Sequence, residues 1–299
     1  MALCSDGTAA AWGRNFDGEL GDNASESTRL VPVTVNGSAL RPGERFGKLF
    51  TSGGSPFYSL AVAYGPPVAA VNMPMSSSIT LTSAALGGNV TSEGGTAITE
   101  RGVVYAVTST NNNPQIGGAG VISLSTTGTT GAFTVSSTPL TPGTTYSFAA
   151  YATNSVGTGY SSVGTFTTLN LLESWRQQHF GLTSNTGTAA DTFDFDGDGL
   201  SNLLEWALGL DPKQASLQPV TMVREGDFIE FTYHRSAAGL SAGAVFTAEW
   251  SDTMLSGSWS REGVTEEILA DNGTVQEVKA VLPAGGSGRF VHLKVTGPP

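Results

Sequence analysis

Leu140-Thr141-Pro142-Gly143-Thr144-Thr145-Tyr146-Ser147-Phe148-Ala149-Ala150-Tyr151-Ala152-Thr153-Asn154 reads as a turn that feeds a β-strand. Pro142 presets φ for the turn and Gly143 completes it, while Tyr146, Phe148 and Ala150 recur at every second position and so share one face of a strand. Outward from that strand, Gly87-Gly88-Asn89-Val90 and Arg101-Gly102-Val103-Val104-Tyr105 supply two earlier strands, and Phe166-Thr167-Thr168 closes the unit. The Gly65-Pro66-Pro67 step marks its start, because a proline pair neither continues a helix nor donates to a sheet ladder. Between residues 66 and 170 the only charged side chains are Glu93, Glu100 and Arg101. The whole chain shares this character: 39 of 299 residues are Gly and 13% are charged, against about 25% charged in ordinary domains. With 14 Phe, 7 Tyr and 5 Trp the chain has enough apolar mass for packed cores.

The stretch from Leu140 to Thr168, with its turn, its aromatic strand and its closing Phe166-Thr167-Thr168, resembles a fibronectin type III-like domain of bacterial surface proteins. The resemblance implies a seven-stranded antiparallel sandwich of about 100 residues. One departure is evident, since residues 66–168 contain no Trp. Tyr105 is expected to take the place of the core tryptophan.

Residues 1–65 read as short strands around glycine turns. Ala2–Ser5 and Thr8–Trp12 flank Asp6-Gly7, a hairpin signal. The run Trp12-Gly13-Arg14-Asn15-Phe16-Asp17-Gly18-Glu19-Leu20-Gly21-Asp22, followed by Val31-Pro32-Val33 and Phe57–Val62, resembles one repeat of the regulator-of-chromosome-condensation family. Glu19 and Tyr58 replace the Gln and His most often found there. The resemblance implies a partial propeller blade kept for packing. A propeller needs about seven blades to close, so further blades upstream in a longer chain are the expected partner of this segment.

Charge rises sharply after Thr168, with seven acids against Arg176 and Lys213 in residues 171–217. Leu171–Phe180 has apolar residues at helical spacing and is expected to form a short amphipathic helix. Asp194-Phe195-Asp196-Gly197-Asp198-Gly199-Leu200-Ser201-Asn202-Leu203-Leu204-Glu205 then fits D-x-D-x-D-G-x5-E over its full length. Calcium is a hard cation that takes six to eight oxygen ligands. The spacing offers carboxylates from Asp194, Asp196 and Asp198, the Leu200 carbonyl, Asn202 directly or through water, and Glu205, with Gly199 at the sharp turn. Ser201–Leu208 is expected to be helical and to end at Gly209. The loop resembles an EF-hand, and more closely the single-helix calcium loops of dockerin-like and thrombospondin-type segments, because Thr183–Phe193 is polar where an incoming helix would stand. That implies a structural Ca2+ site, with a solvated acidic turn as the alternative and no partner hand for sensing.

After Asp211-Pro212 the β pattern resumes in Phe228–Tyr233, Phe246–Trp250, Thr274–Leu282 and Arg289–Val295, which points to a small antiparallel sandwich. Trp250 and Trp259 are expected to form a buried aromatic pair, with a sugar-stacking platform as the alternative. His179, His234 and His292 occur singly, and no H-E-x-x-H, G-x-S-x-G or G-x-x-x-x-G-K is present. Glu262 and Glu266-Glu267 read as a solvated strand or turn, not as paired catalytic carboxylates. The net charge of −11 excludes a nucleic-acid backbone or an anionic membrane as the main partner. Cys4 stands alone, so no intrachain disulfide forms, and no apolar run approaches the ~18 residues of a membrane span.

The expected fold class is therefore mainly β. It comprises a partial propeller blade (1–65), a fibronectin type III-like sandwich (66–169), a linker of helix and calcium loop (170–217) and a C-terminal β-sandwich (218–299). The expected function is non-catalytic: a segment of an exported bacterial surface protein acting in adhesion, spacing or display toward other proteins or surface glycans. Met1-Ala2-Leu3-Cys4 is not a signal peptide, so export implies a longer chain. Accessory modules of a secreted polysaccharide-degrading enzyme and a cytoplasmic propeller-based interaction protein are the alternatives.

Overall fold

The computed structural model describes every residue except 5–6, 25–27, 39, 41–43, 52–58, 217–219, 286–287 and 299. It is mainly β, with several antiparallel sheets, and falls into two compact units. One comprises Met1–Ser77, Ala85–Ser137 and Tyr146–Phe166, and the other Ser78–Ala84, Thr138–Thr145 and Thr167–Pro299.

The first unit begins with β1 (Ala2–Leu3), β2 (Ala9–Gly13) and β3 (Arg29–Thr34), a three-stranded sheet, followed by a separate hairpin of β4 (Arg45–Thr51) and β5 (Ser59–Tyr64). Among the described residues these form two separate ladders. Pro32 lies within β3 and has no N–H to donate, which suits β3 to the sheet edge it occupies. Leu30 is 89% exposed there. The loop after Trp12 is organised by Asn15, which is fully buried: its Oδ1 accepts from Leu20 N at 3.0 Å, and its Nδ2 donates to Asp22 Oδ1 at 3.0 Å and Ala24 O at 2.9 Å. Asp6, Phe57 and Tyr58, on which part of the repeat reading rests, lie outside the described residues.

Eight strands follow: β6 (Ala70–Ser77), β7 (Ala84–Ser92), β8 (Glu100–Val107), β9 (Ile122–Thr126), β10 (Gly131–Ser137), β11 (Thr145–Thr153), β12 (Thr158–Tyr160) and β13 (Gly164–Thr167). They form a sheet ordered β10-β7-β6 and a second ordered β12-β11-β8-β9, with β13 also paired to β11. This is a sandwich of the kind expected from the sequence, with eight strands where the resemblance implies seven. Tyr146 stacks on Phe166 with ring centroids 5.4 Å apart, and Tyr105 meets Tyr146 edge-on at 6.0 Å. Tyr105 is buried in this aromatic cluster. The other face of β11 is covered too, as Ala149 and Tyr151 pack with Val104, Val121 and Tyr160. A strand buried on both sides reads as a nearly continuous apolar run, and Tyr146–Ala152 is such a run. Tyr151 Oη donates to Glu100 Oε1.

The second unit holds α1 (Leu171–Phe180), a 3₁₀ turn at Gly187–Ala189, α2 (Asn202–Leu208), β14 (Val220–Glu225), β15 (Phe228–Ser236), α3 (Ala237–Ala242), β16 (Val245–Ser251), β17 (Thr265–Asp271), β18 (Val275–Pro283) and β19 (Phe290–Thr296). Sheet β14-β15-β18-β17 and the pair β16-β19 supply one core, in which Phe231, Tyr233, Val278 and Leu282 meet Phe246 and Ala248. Leu172, Trp206 and Ala207 belong to that same core. The segment expected to be a linker is thus built into the C-terminal sandwich. Helix α1 is fixed by a capping box: Glu173 N donates to Asn170 Oδ1 at 2.8 Å and Asn170 N to Glu173 Oε2 at 2.9 Å. Helix α2 ends at Gly209, whose φ of 79° is the left-handed conformation that glycine adopts without strain.

Close approach of the two sandwich sheets gives a test. A Cβ on Gly88 of β7 would lie 2.3 Å from the Ala150 Cβ of β11. Gly88→Val is expected to destabilise the first unit by about 1–3 kcal/mol, the usual cost of overpacking a core. Chemical denaturation followed by Tyr fluorescence checks this, and an unchanged midpoint would contradict the close packing.

Candidate metal centre

The Asp194–Glu205 loop is shaped by its own backbone amides. Asp194 Oδ1 accepts from Gly197 N at 2.8 Å and its Oδ2 from Gly199 N at 2.9 Å. Asp196 Oδ1 accepts from Asp198 N at 3.1 Å, and Asp198 accepts from Leu200 N at 2.8 Å and Ser216 N at 2.7 Å. Gly199, at φ 94°, makes the turn that bends the chain back on these groups. The result brings carboxylate oxygens of Asp194, Asp196 and Asp198 within 4.8 Å of one another.

Glu205, on the first turn of α2, is not in that cluster of three, although it lies close enough to feel their charge. Its side chain is fully buried, and neither carboxylate oxygen has a hydrogen-bond partner. Burial, then the neighbouring charges of Asp196, Asp198, Asp194 and Asp211, push its carboxyl up to about 7. Asp196 Oδ2 is likewise buried without a partner. An ionised carboxylate in such surroundings is costly unless a cation meets it. Oxygen-only donors at EF-hand spacing suit calcium, whose charge would satisfy these orphaned atoms.

The remaining two residues of the sequence motif have mixed roles. Leu200 sits at the entry to α2 with its amide committed to Asp198. Asn202 is buried and gives both amide hydrogens away, to Thr188 O at 2.9 Å and Ala190 O at 2.8 Å, while its Oδ1 has no partner. It therefore braces the incoming chain as well as offering an oxygen.

That incoming chain replaces the missing first helix of a paired hand, and its anchor was not legible from the loop motif. Arg176 of α1 is buried and contacts Asp191 Oδ1 at 2.5 Å. Asp191 also binds Asn185 through side chain and backbone, and its carbonyl accepts from Leu203 N at 3.1 Å. The available signal was Arg176 itself, four residues after Leu172 on the buried stripe of α1.

The other singled-out residues are held by structural partners. His179 Nδ1 lies 3.6 Å from Asp211 Oδ1 and its ring packs on Trp175. Trp250 and Trp259 do not pair with each other as expected. The Arg289 guanidinium lies 3.5 Å over the Trp250 ring, and Trp259 stacks on His292 at 3.6 Å, with His292 Nε2 3.1 Å from Glu249 Oε2. Arg289 is itself held by both carboxylate oxygens of Asp252, at 2.9 and 3.2 Å. Glu266 and Glu267 lie on the exposed β17, and Glu267 stands opposite Lys279.

No family model and no curated protein sequence matches the chain. Among solved structures the chain is similar to the sensor domain of the anti-sigma factor RsgI4 of Pseudobacteroides cellulosolvens, at 26% identity over 34% of this chain and 96% of that one, with a TM-score of 0.27. It is also similar to the sixth fibronectin type III domain of human fibronectin type III domain containing protein 3, at 21% identity, 36% and 88% coverage and a TM-score of 0.26. A fibronectin type III domain of human collagen XX matches at 16% identity, 34% and 92% coverage and a TM-score of 0.25. Among the described residues no helix is long and apolar enough to cross a membrane.

The raised carboxyl of Glu205 sets a pH dependence. Without metal the folded state keeps a proton on Glu205 between its ordinary value of 4.5 and about 7, which the unfolded chain releases. Folding stability contributed by this group therefore falls as pH rises through that window. Glu205→Gln is expected to remove this fall and, in the presence of a chelator, to stabilise the protein above pH 7 by about 1–3 kcal/mol, the order of an unpaired buried polar group. Urea denaturation at pH 5 and pH 8 measures it. A metal-free variant weaker than wild type at pH 8 would contradict the assignment.

Proposed function

We propose that this chain is a calcium-stabilised, non-catalytic segment of an exported modular surface protein, acting in adhesion, spacing or display. The observation that carries the reading is Glu205: a fully buried carboxylate without a hydrogen-bond partner, raised by burial and by the charges of four aspartates. Asp194, Asp196, Asp198 and Glu205 would hold one calcium ion, with the Leu200 carbonyl and Asn202 Oδ1 assisting. The ion supplies the positive charge that lets four carboxylates share one loop, and no reaction is required of it.

The ion would act on the fold through α2. Glu205 is followed directly by Trp206, Ala207 and Leu208, all buried, and Ser236 Oγ donates to Trp206 O at 2.9 Å while capping α3 by accepting from Gly239 N at 2.9 Å. Ordering the loop thus orders one wall of the C-terminal core. A non-catalytic role is supported by two histidines whose rings are committed to structural neighbours, and by a sandwich architecture that serves as a spacer and display scaffold in many cell-surface proteins.

Isothermal titration with calcium chloride is expected to show a single site with a dissociation constant of about 10⁻⁴ to 10⁻³ M, the range of extracellular loops. Calcium at ten times that constant raises stability by ~1.4 kcal/mol, read as a higher melting temperature of the second unit. Magnesium is expected to give little response, since it favours a smaller octahedral shell. Neither heat nor a melting shift at several millimolar calcium would show that the acidic turn is only solvated.

A further inference from the structure

The sequence contains two Asn-Gly steps, Asn36-Gly37 and Asn272-Gly273. An asparagine before glycine is chemically open, because no Cβ on the following residue shields its backbone nitrogen from the side-chain amide carbon. The second step forms the turn between β17 and β18, where Asp271 stands opposite Gln276. Asn272, Gly273 and Thr274 are all exposed there. Gly273 adopts φ 82°, and a Cβ built on it would meet nothing within 4 Å, so water reaches the turn freely.

The hydrogen bonds of this turn assemble the parts of a self-cyclising amide. Asn272 Oδ1 accepts from Thr274 N at 2.9 Å and from Val275 N at 2.8 Å. The side chain is thereby folded over the turn, and the ring closed by the first of these bonds contains both Asn272 Cγ and Gly273 N. Two amide donors on one carbonyl oxygen draw electron density from Cγ, and they are placed to stabilise the charge that develops on Oδ1 under attack, as an oxyanion hole does. The attacking atom is prepared too. Gly273 N donates to Asp271 Oδ1 at 2.8 Å. That hydrogen lies in the peptide plane, so the bond leaves the face of the nitrogen open. Asp271 Oδ2 accepts from Gln276 Nε2 at 2.8 Å. This bond first, and the Gly273 amide second, hold the Asp271 carboxyl below its ordinary value, so it is ionised at neutral pH and able to accept a proton.

We propose that Asn272 is a self-modification site of the folded chain, converted to aspartate and isoaspartate through attack of Gly273 N on its side-chain amide. A bond forms between Gly273 N and Asn272 Cγ, and the Cγ–Nδ2 bond breaks. The Gly273 proton passes by way of the Asp271 carboxylate to Nδ2, which leaves as ammonia. Solvent water then opens the cyclic imide: addition at Cγ gives aspartate, and addition at the Asn272 backbone carbonyl gives isoaspartate, with the main chain running through the side chain. No oxidant is needed. Either product adds one negative charge to the turn, and the proposal is independent of the metal site.

The test is incubation of the full chain at pH 7.5 and 37 °C, folded in buffer and unfolded in concentrated urea, with peptide mass spectrometry to follow the amide-to-acid mass gain and isoaspartyl methyltransferase to count isoaspartate. Asn272 is expected to convert about tenfold faster in the folded chain than in urea, short of the 10²–10⁴ of an enzymic base because the turn stays solvated. Asp271→Ala is expected to bring the folded rate at Asn272 down to the rate in urea, while Asn36 in the same digest converts as in the wild type. Conversion at Asn272 no faster in the folded wild type than in urea would overturn the proposal. This comparison needs no variant, so it decides the matter even if Asp271→Ala fails to fold. An unchanged rate in a folded Asp271→Ala chain, or equal slowing at Asn36 and Asn272, would overturn it as well.

Discussion

Glu205 has no exposed surface, no hydrogen-bond donor and the charges of four aspartates acting on it. An isolated buried carboxylate of this kind is among the least favourable arrangements a protein can hold, and it persists only where a proton or a cation relieves it. Much of the C-terminal unit is arranged around that demand. Backbone amides at Gly197, Gly199, Asp198 and Leu200 turn the aspartates toward one another. Arg176 and Asn202 fasten the incoming chain to α1 and α2. Trp206, next in sequence, carries the effect into the core shared by β15, β16 and β18.

The acidic loop is built into the C-terminal unit and is not a free linker. A loop that only joined two modules would need no buried residues of its own. Here Leu172, Trp206 and Ala207 are core residues of the sandwich, and removing the helices would leave Phe231, Tyr233 and Phe246 without part of their cover. Tyr233 shows how tightly that core is sealed: its side chain is fully buried, and burial above all pushes its hydroxyl up to about 12.

What could be read from the sequence follows the range of the interactions involved. The twelve-residue loop is local, so spacing alone places Asp194, Asp196 and Asp198 together. The β11 strand is legible because Tyr146 and Phe148 alternate, and the end of α2 because Gly209 is a cap residue. Strands β14 and β17 are hidden because they are exposed edges whose sequences, Val-Thr-Met-Val-Arg-Glu and Thr-Glu-Glu-Ile-Leu-Ala-Asp, lack a buried face to set an alternation. Helix α3 is hidden because Ala-Ala-Gly-Leu-Ser-Ala has little apolar period, and its cap, Ser236, works through a long-range bond to Trp206. The partners of Arg176, Asn202, Trp250 and Trp259 are likewise set by tertiary packing, which spacing does not encode.

If a cation at Glu205 is what completes the C-terminal core, then the loop, α2 and the central strands must open and close as one unit. Native-state hydrogen exchange of residues 202–208 in α2 and of β15 and β18, with and without calcium, measures that coupling directly. The account predicts that calcium slows exchange in all three by a common factor, because each amide would then report the same opening reaction. Slowing confined to residues 194–205, with β15 and β18 unchanged, would contradict it and reduce the ion to a local ornament of the loop.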